Sequence, residues 1–360
     1  MEIIGNQNIL EHLRKIARNG QEAPSYLFSG PKGVGKFLTA RWFCAAVLCT
    51  NPDIDDFSPP CGNCSACRRV KSGNHPDISI LGNQSTRASK NSPGIRTKAT
   101  KEIDENKDDK KAHKMSIGIE EVREGIAQMQ TCSFEGGYRF WIIDEAQRLT
   151  NEAQNALLKT LEEPPASLIL ILIVQPGGQL LPTVTSRCRP LNFRPLNLKE
   201  LSSYLQSQGF DHYKAETAAH ISGGSLGLAL NFLQNTQLWD RRTKLFELLN
   251  KLKGSSLWNA LSTASSIEGL CSGATAKEQL AELIEMAASF YRDALCLKVG
   301  GPQDLLVNVD NLENLSKLAQ ESTITYLKNA LESWQAAGNT YLPRNVNTKL
   351  YLQKICLDCC

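Results

Sequence analysis

Gly30-Pro31-Lys32-Gly33-Val34-Gly35-Lys36-Phe37 follows directly on a short apolar run, Tyr26 to Ser29, and opens a stretch with helical patterning. Strand, glycine-rich turn and helix in that order read as a phosphate-binding loop. Backbone N–H groups converge there on a helix N-terminus, where the dipole favours an anion. Lys36 adds a positive charge for the outer phosphates, and Gly30, Gly33 and Gly35 let the chain wrap closely around them. The pattern ordinarily ends in Ser or Thr, whose hydroxyl ligates Mg²⁺. Phe37 stands at that place and has no oxygen to offer. The loop keeps the shape of a nucleotide site and lacks a part that hydrolysis uses.

Outward from this loop, further strand candidates are Asp77 to Leu81, Arg139 to Ile143 and Leu168 to Val174, separated by helical patterns. That alternation predicts an α/β domain over 1–195, a parallel sheet with helices on both faces. A second motif sits where such a sheet takes its ligands, at a strand's C-terminal end: Trp141-Ile142-Ile143-Asp144-Glu145. In nucleoside triphosphatases a carboxylate at the place of Asp144 orients Mg²⁺ and its neighbour, here Glu145, positions the attacking water. A solvated strand end is the plainer meaning of an acidic pair alone; the glycine-rich loop upstream makes the pair a nucleotide-site signal.

Beyond Pro195 strand signals disappear. Short helical patterns broken at Gly209 and Gly223-Gly224 fill 196–238, and longer ones run from 239 to 360, with a polar, glycine-bearing interruption at ALSTASSIEGLCSGAT, Ala260 to Thr275. Two all-helical domains after the α/β domain are therefore expected. Residues 84–114 are rich in Lys, Asp, Ser, Asn and Thr with almost no large apolar side chains, the composition of a disordered insertion.

A net charge of +3 over 360 residues is small and argues against a strongly basic nucleic-acid binder. The start MEIIGNQNIL lacks a signal-peptide pattern, and the longest apolar run, Leu168 to Val174, suits a buried strand, so a cytoplasmic protein with no membrane partner is expected. In that setting clustered cysteines, among the twelve present, suggest metal before disulfides. Cys61, Cys64 and Cys67 recur at three-residue spacing and Cys49 lies upstream. Four thiolates close a tetrahedral Zn²⁺ site with no open position, hence a structural one. Cys44 competes for the fourth place, but its position inside a helix favours burial. The closing Cys356, Cys359 and Cys360 form no complete ligand set and are expected to be exposed terminal thiols.

Together, GPKGVGKF, the cysteine cluster, Gly73-Asn74-His75-Pro76-Asp77-Ile78, WIIDEAQRLTNEAQNALLKTLEEPP and Ser186-Arg187-Cys188 resemble the clamp-loader branch of the AAA+ family. The C-terminal Asn345 to Leu350 resembles the collar ending of the same branch. The resemblance covers most of the chain and implies an AAA+ core over 1–195 with an inserted zinc module at 49–67, a helical lid at 196–238 and a helical collar at 239–360. It implies a hetero-oligomeric ring within the DNA polymerase III complex, with gamma/tau-type and delta-type subunits as partners. That ring opens the sliding clamp and closes it around primed DNA. Each ATP lies at a subunit boundary, and the arginine of Ser-Arg-Cys, here Arg187, reaches a neighbour's phosphates. A guanidinium suits that task because it is permanently charged and donates paired hydrogen bonds.

Three departures from an active motor point one way. Phe37 removes a Mg²⁺ ligand, so Mg²⁺ is expected to bind poorly. Around Gln175-Pro176-Gly177 the small polar residue expected near the terminal phosphate is missing. Gly227 in Ser225-Leu226-Gly227 replaces the lid arginine of active relatives. The expectation is a non-hydrolysing assembly subunit that donates Arg187 in trans. Backbone and Lys36 alone can cradle ATP or ADP, which leaves nucleotide binding without turnover open. Two other functions compete: an ATP-hydrolysing gamma/tau-like motor subunit, which Phe37 and Gly227 oppose, and a stand-alone zinc-ribbon nucleic-acid binder, which the near-neutral charge opposes.

Overall fold

The computed structural model describes the chain apart from residues 1–2, 21, 52–59, 83–115, 131–132, 136, 274–275 and 339–346. The predicted insertion 84–114 lies outside the described residues, as do Asn345 and Val346. Two compact units divide the chain, Met1–Leu196 and Asn197–Cys360.

The first unit is built on five parallel strands: β1 (Ser25–Ser29), β2 (Ile78–Leu81), β3 (Arg139–Ile143), β4 (Leu168–Val174) and β5 (Arg189–Asn192), in the order β2-β3-β4-β1-β5. Its helices are α1 (Gln7–Asn19), α2 (Lys36–Val47), α3 (Ser65–Ser72), α4 (Ile119–Met129), α5 (Asn151–Glu162) and the short α6 (Pro182–Thr185). Side-chain alternation sorts the central strands into two cores. Phe140 and Ile142 of β3, with Ile169, Ile171 and Ile173 of β4, pack with Tyr26, Phe28 and Phe43 beneath α1 and α2. Trp141 and Ile143, with Leu168, Leu170, Leu172 and Val174, pack with Val122, Leu157 and Leu161 beneath α4 and α5. All seven residues of β4 are buried, as expected of a central strand in a sheet covered on both faces.

The four sequence-predicted strands form within a residue of their expected bounds. The fifth, β5, was not anticipated. Arg-Pro-Leu-Asn buries only Leu191 and contains Pro190, which a parallel sheet tolerates at an edge, where β5 has β1 as its one neighbour.

The second unit comprises α7 (Leu198–Ser207), α8 (His212–Ile221), α9 (Leu226–Gln234), α10 (Thr236–Asn250), α11 (Leu257–Gly269), α12 (Ala276–Lys298), α13 (Leu312–Glu321), α14 (Ile324–Ala336) and α15 (Thr348–Asp358). None of the described helices is long and apolar enough to cross a membrane. Two expectations are corrected here. Most of the polar stretch after Ala260 is not an interruption: α11 runs to Gly269, capped by the Ser256 hydroxyl and burying Ala260, Ala264 and Ile267 on one face. Small residues at helical spacing had masked its amphipathic pattern. Cys356 and Cys359 are not exposed thiols, because α15 turns both into the core and burial pushes each thiol up to about 12.

A buried polar network ties the unit together. Arg242 of α10 donates to both carboxylate oxygens of Asp310, at 2.6 and 2.7 Å, and to Asn308 Oδ1 at 2.9 Å. Its guanidinium lies 5.3 Å from the ring centre of Trp239 and 4.5 Å from that of Phe246. The Thr217 hydroxyl of α8 donates to the same Asp310 at 3.1 Å. Asp293, fully buried in α12, accepts from the backbone of Val307 and Asn308 and from the Asn308 amide. Helices from both predicted helical segments thus share one carboxylate.

Candidate nucleotide site and tetracysteine centre

The glycine-rich loop joins β1 to α2, with Gly33 and Gly35 at φ of 77° and 93°, left-handed values that a side chain rarely adopts. Lys36 opens α2 and is buried. Its Nζ donates to the carbonyls of Gly30 and Pro31, the latter at 2.6 Å. Burial brings the ammonium down to about 8, opposed by the negative charge of Asp144, so the two motifs meet electrostatically as the sequence implied. Phe37 packs against the core beneath α2. The position that should reach a metal instead contributes to packing.

The carboxylates are similarly engaged. Asp144 is buried, and desolvation, then the charge of Glu145, raise its pKa. Its Oδ1 accepts the backbone N–H of Glu145 at 3.0 Å. Glu145 occupies the left-handed region, φ 53°, and its carboxylate pairs with Arg148 at 2.8 Å across a single 3-10 turn. Sequence reasoning missed Arg148; a basic residue three positions after the acid, on one helical turn, was the available signal. Gly82, after β2, lies so close to the Asp144 carbonyl that a Cβ would collide with it. At the end of β4, Gln175 begins a tight turn closed by Gly178 N–H to Gln175 O at 3.0 Å, and Gly178 lets Gln147 approach. Gly227 lies exposed in the first turn of α9, in the second unit.

Arg187 follows α6. Its carbonyl accepts from Ser25 Oγ at 2.7 Å, and the next residue, Cys188, is buried in the core. Nη1 donates to Thr183 O at 2.9 Å and Nη2 to Glu162 Oε1 at 2.6 Å. A guanidinium carries five N–H donors. Those beyond these two contacts have no protein acceptor among the described residues.

Cys49, Cys61, Cys64 and Cys67 bring their sulfurs within 4.8 Å of one another. Cys49 lies 3.5 Å from Cys61 and 4.0 Å from Cys64, and Cys61 lies 3.8 Å from Cys67. Tetrahedral Zn–S bonds of ~2.3 Å set an S···S edge of roughly 3.8 Å, so the donor set fits a metal ion such as zinc. Cys44 stands outside the group, buried inside α2 with its thiol pushed up by that burial. Cys64 caps α3, and the N–H groups of Cys64 and Cys67 point at the sulfurs of Cys61 and Cys64, at 3.4 and 3.3 Å. Burial opposes ionisation of Cys64, yet the N–H groups of Cys67 and Thr50 outweigh it and draw the thiol down to about 6.

The centre is anchored to the sheet. Arg69 of α3 pairs with Glu135 at 2.5 Å, whose other oxygen lies 3.5 Å from Nε2 of buried His75. Asp77, also buried, accepts the N–H groups of Phe134 and Glu135 at 2.7 and 3.3 Å. Gly73 to Ile78 therefore does structural work that sequence reasoning had not assigned.

A parallel sheet in this strand order, with a glycine-rich loop after β1 and an acidic pair after β3, defines an AAA+-type domain, here with a tetracysteine centre and a helical second unit. The chain belongs to the DNA polymerase III delta-subunit family, and with it to the clamp-loader subunits of that polymerase: the family described as "DNA polymerase III, delta subunit" matches residues 5–197, and "DNA polymerase III, delta subunit, C terminal" matches residues 236–359. Bacillus subtilis (strain 168) has a DNA polymerase III subunit delta' that is 26% identical over 92% of this chain and 89% of its own length. The tau subunit of the same organism is 30% identical over 54% of this chain but only 28% of its own length. A solved DNA polymerase III gamma subunit-related protein from Thermotoga maritima aligns over 96% of this chain and 97% of its own at 16% identity with a TM-score of 0.41, too loose a likeness to add to the assignment.

Proposed function

We propose that this chain is the non-hydrolysing, delta-prime-like stator of a DNA polymerase III clamp loader and that it donates Arg187 to the ATP site of a neighbouring subunit. The observation that carries this reading is a contrast. The side chains of the chain's own nucleotide site, Lys36, Asp144 and Glu145, each have a partner within the unit, whereas Arg187 stands half-exposed with unused donors. Lys36 rests on loop carbonyls, Glu145 is neutralised by Arg148, Asp144 accepts from its own backbone, and Phe37 packs into the core. Together with the absence of an arginine at Gly227, this leaves little transition-state stabilisation for hydrolysis.

In this reading the partners are gamma/tau-type and delta-type subunits, the sliding clamp is met through them, and primed DNA is held by the assembled ring. The tetracysteine group, Cys49, Cys61, Cys64 and Cys67, holds a structural zinc. The helices up to 238 form the lid and those from 239 the collar through which the ring assembles.

The test is reconstitution with the partner subunits. Losing an arginine finger costs on the order of 10³ to 10⁵ in turnover, so Arg187→Ala should abolish ATPase activity of the complex while leaving assembly intact. The gamma/tau-like motor reading makes the opposite forecast: the isolated chain would turn over ATP, and Lys36→Ala would abolish that turnover. Finding both would overturn the stator assignment.

A further inference from the structure

Among the groups that touch Arg187 is a carboxylate to which the sequence analysis gave no role, although it lies in the quoted stretch WIIDEAQRLTNEAQNALLKTLEEPP. Glu162 is the last residue of α5, and its Oε1 accepts from Nη2 of Arg187. We propose that Glu162 is a positioning residue for Arg187: with the Thr183 carbonyl, it fixes the plane of the guanidinium and turns the remaining N–H groups outward, toward the phosphate of a neighbouring subunit. The proposal rests on the reading that Arg187 serves a neighbour's nucleotide.

The geometry carries it in three steps. The base of the side chain is immobilised, because the Arg187 carbonyl accepts from buried Ser25 and Cys188 beside it is buried in the core. The tip is then held at two points on different elements, Thr183 O of α6 and Glu162 of α5. An arginine fixed at both ends has surrendered its rotamer freedom before any phosphate arrives, so less is lost on engagement. The pair is also exposed, 36% for Arg187 and 51% for Glu162, and ion pairs that exposed add little to folding. Stability gives no account of it. Because two contacts use only part of the five-donor fork, Arg187 can bind a phosphate without leaving Glu162. The carboxylate acts as a brace, and a latch would require the arginine to let go.

The experiment compares Glu162→Ala, Glu162→Gln and Arg187→Ala in the reconstituted complex, measuring kcat and KM for ATP, assembly affinity, and thermal stability of the isolated subunit. Glu162→Ala should lower kcat on the order of tenfold, the penalty of a catalytic group allowed to wander. KM, assembly and stability should be unchanged. Glu162→Gln, whose amide oxygen still accepts from Nη2, should recover most of the rate. An unchanged or raised kcat in Glu162→Ala, or equal impairment in both Glu162 variants, overturns the positioning role. Arg187→Ala separates the two levels: if it leaves the ATPase intact, the arginine-donor reading itself fails, whereas if it abolishes activity and Glu162→Ala does nothing, only the brace fails.

Discussion

Arg242→Ala should be among the most damaging single substitutions in the second unit, for reasons that can be worked from its contacts. The guanidinium is 2% exposed, makes a bidentate pair with Asp310 and a further bond to Asn308, and lies against the rings of Trp239 and Phe246. Truncation leaves the Asp310 carboxylate with the Thr217 hydroxyl as its remaining side-chain donor among the described residues and strands the Asn308 oxygen. Breaking a buried pair from one side costs about 3–5 kcal/mol. Asp310 retains 18% exposure and can recruit water, which places the cost near the lower end, ~3 kcal/mol. For a unit of this size each kcal/mol shifts Tm by about 2–4 °C, so the transition should fall by about 6–12 °C. Differential scanning calorimetry of the full chain reads this out, provided the transition of the first unit stays in place. Arg242→Met retains the packing between the rings and should recover the dispersion part but not the electrostatic part. A double-mutant cycle with Asp310→Ala isolates the coupling. A loss below about 1 kcal/mol in Arg242→Ala would mean that the pair behaves as an ordinary surface ion pair, and the reasoning would be refuted.

Two further predictions concern the first unit. Lys36 is held near 8, well below the ordinary lysine value, so above that pH the unfolded chain binds the proton that the folded chain has lost, and stability should rise as pH climbs from about 8. Urea midpoints at pH 8 and pH 9.5 should therefore diverge less in Lys36→Met than in wild type; equal divergence would mean that Lys36 titrates normally. Removing metal from the tetracysteine centre, by chelation or by Cys67→Ser, should loosen α3 and, through the Arg69 to Glu135 pair, the segment around Phe134. Hydrogen exchange should accelerate in 61–73 and 133–135 together, and acceleration confined to 61–73 would show that the pair transmits nothing.

What could be read in the sequence follows from how locally each feature is encoded. β3 and β4 are continuous apolar runs, and the glycine-rich loop is eight consecutive residues, so both announce themselves. β5 did not, since an edge strand with one inward side chain leaves almost no pattern. α11 was hidden by its composition: Ala, Ser and Thr dilute the periodicity that Leu or Phe would have made plain. The cysteine spacing identified the donor set, but the brace from Arg69 through Glu135 to His75 joins residues far apart in sequence, and no local reading could have joined them. Glu162 and Arg187 are likewise 25 positions apart and meet only because α5 and α6 pack against each other.

The absences at the nucleotide loop are not gaps in the structure. Where a hydroxyl is missing, Phe37 adds apolar packing. Glu145 is held in an ion pair with Arg148, and the lysine charge is solvated by two backbone carbonyls. A site merely decaying would be expected to leave buried polar groups unpaired, each at a cost of about 1–3 kcal/mol. Here the side chains of Lys36, Asp144 and Glu145 have partners within the fold. A phosphate that draws on the Lys36 charge must therefore displace its Nζ from the carbonyls of Gly30 and Pro31. Arg187 stands opposite to that logic: Thr183 and Glu162 hold its guanidinium, and its remaining donors have no protein acceptor among the described residues. The two sites thus differ in kind: Lys36, Asp144 and Glu145 are turned to partners in their own unit, while the Arg187 guanidinium, held by Thr183 and Glu162, keeps donors to spare.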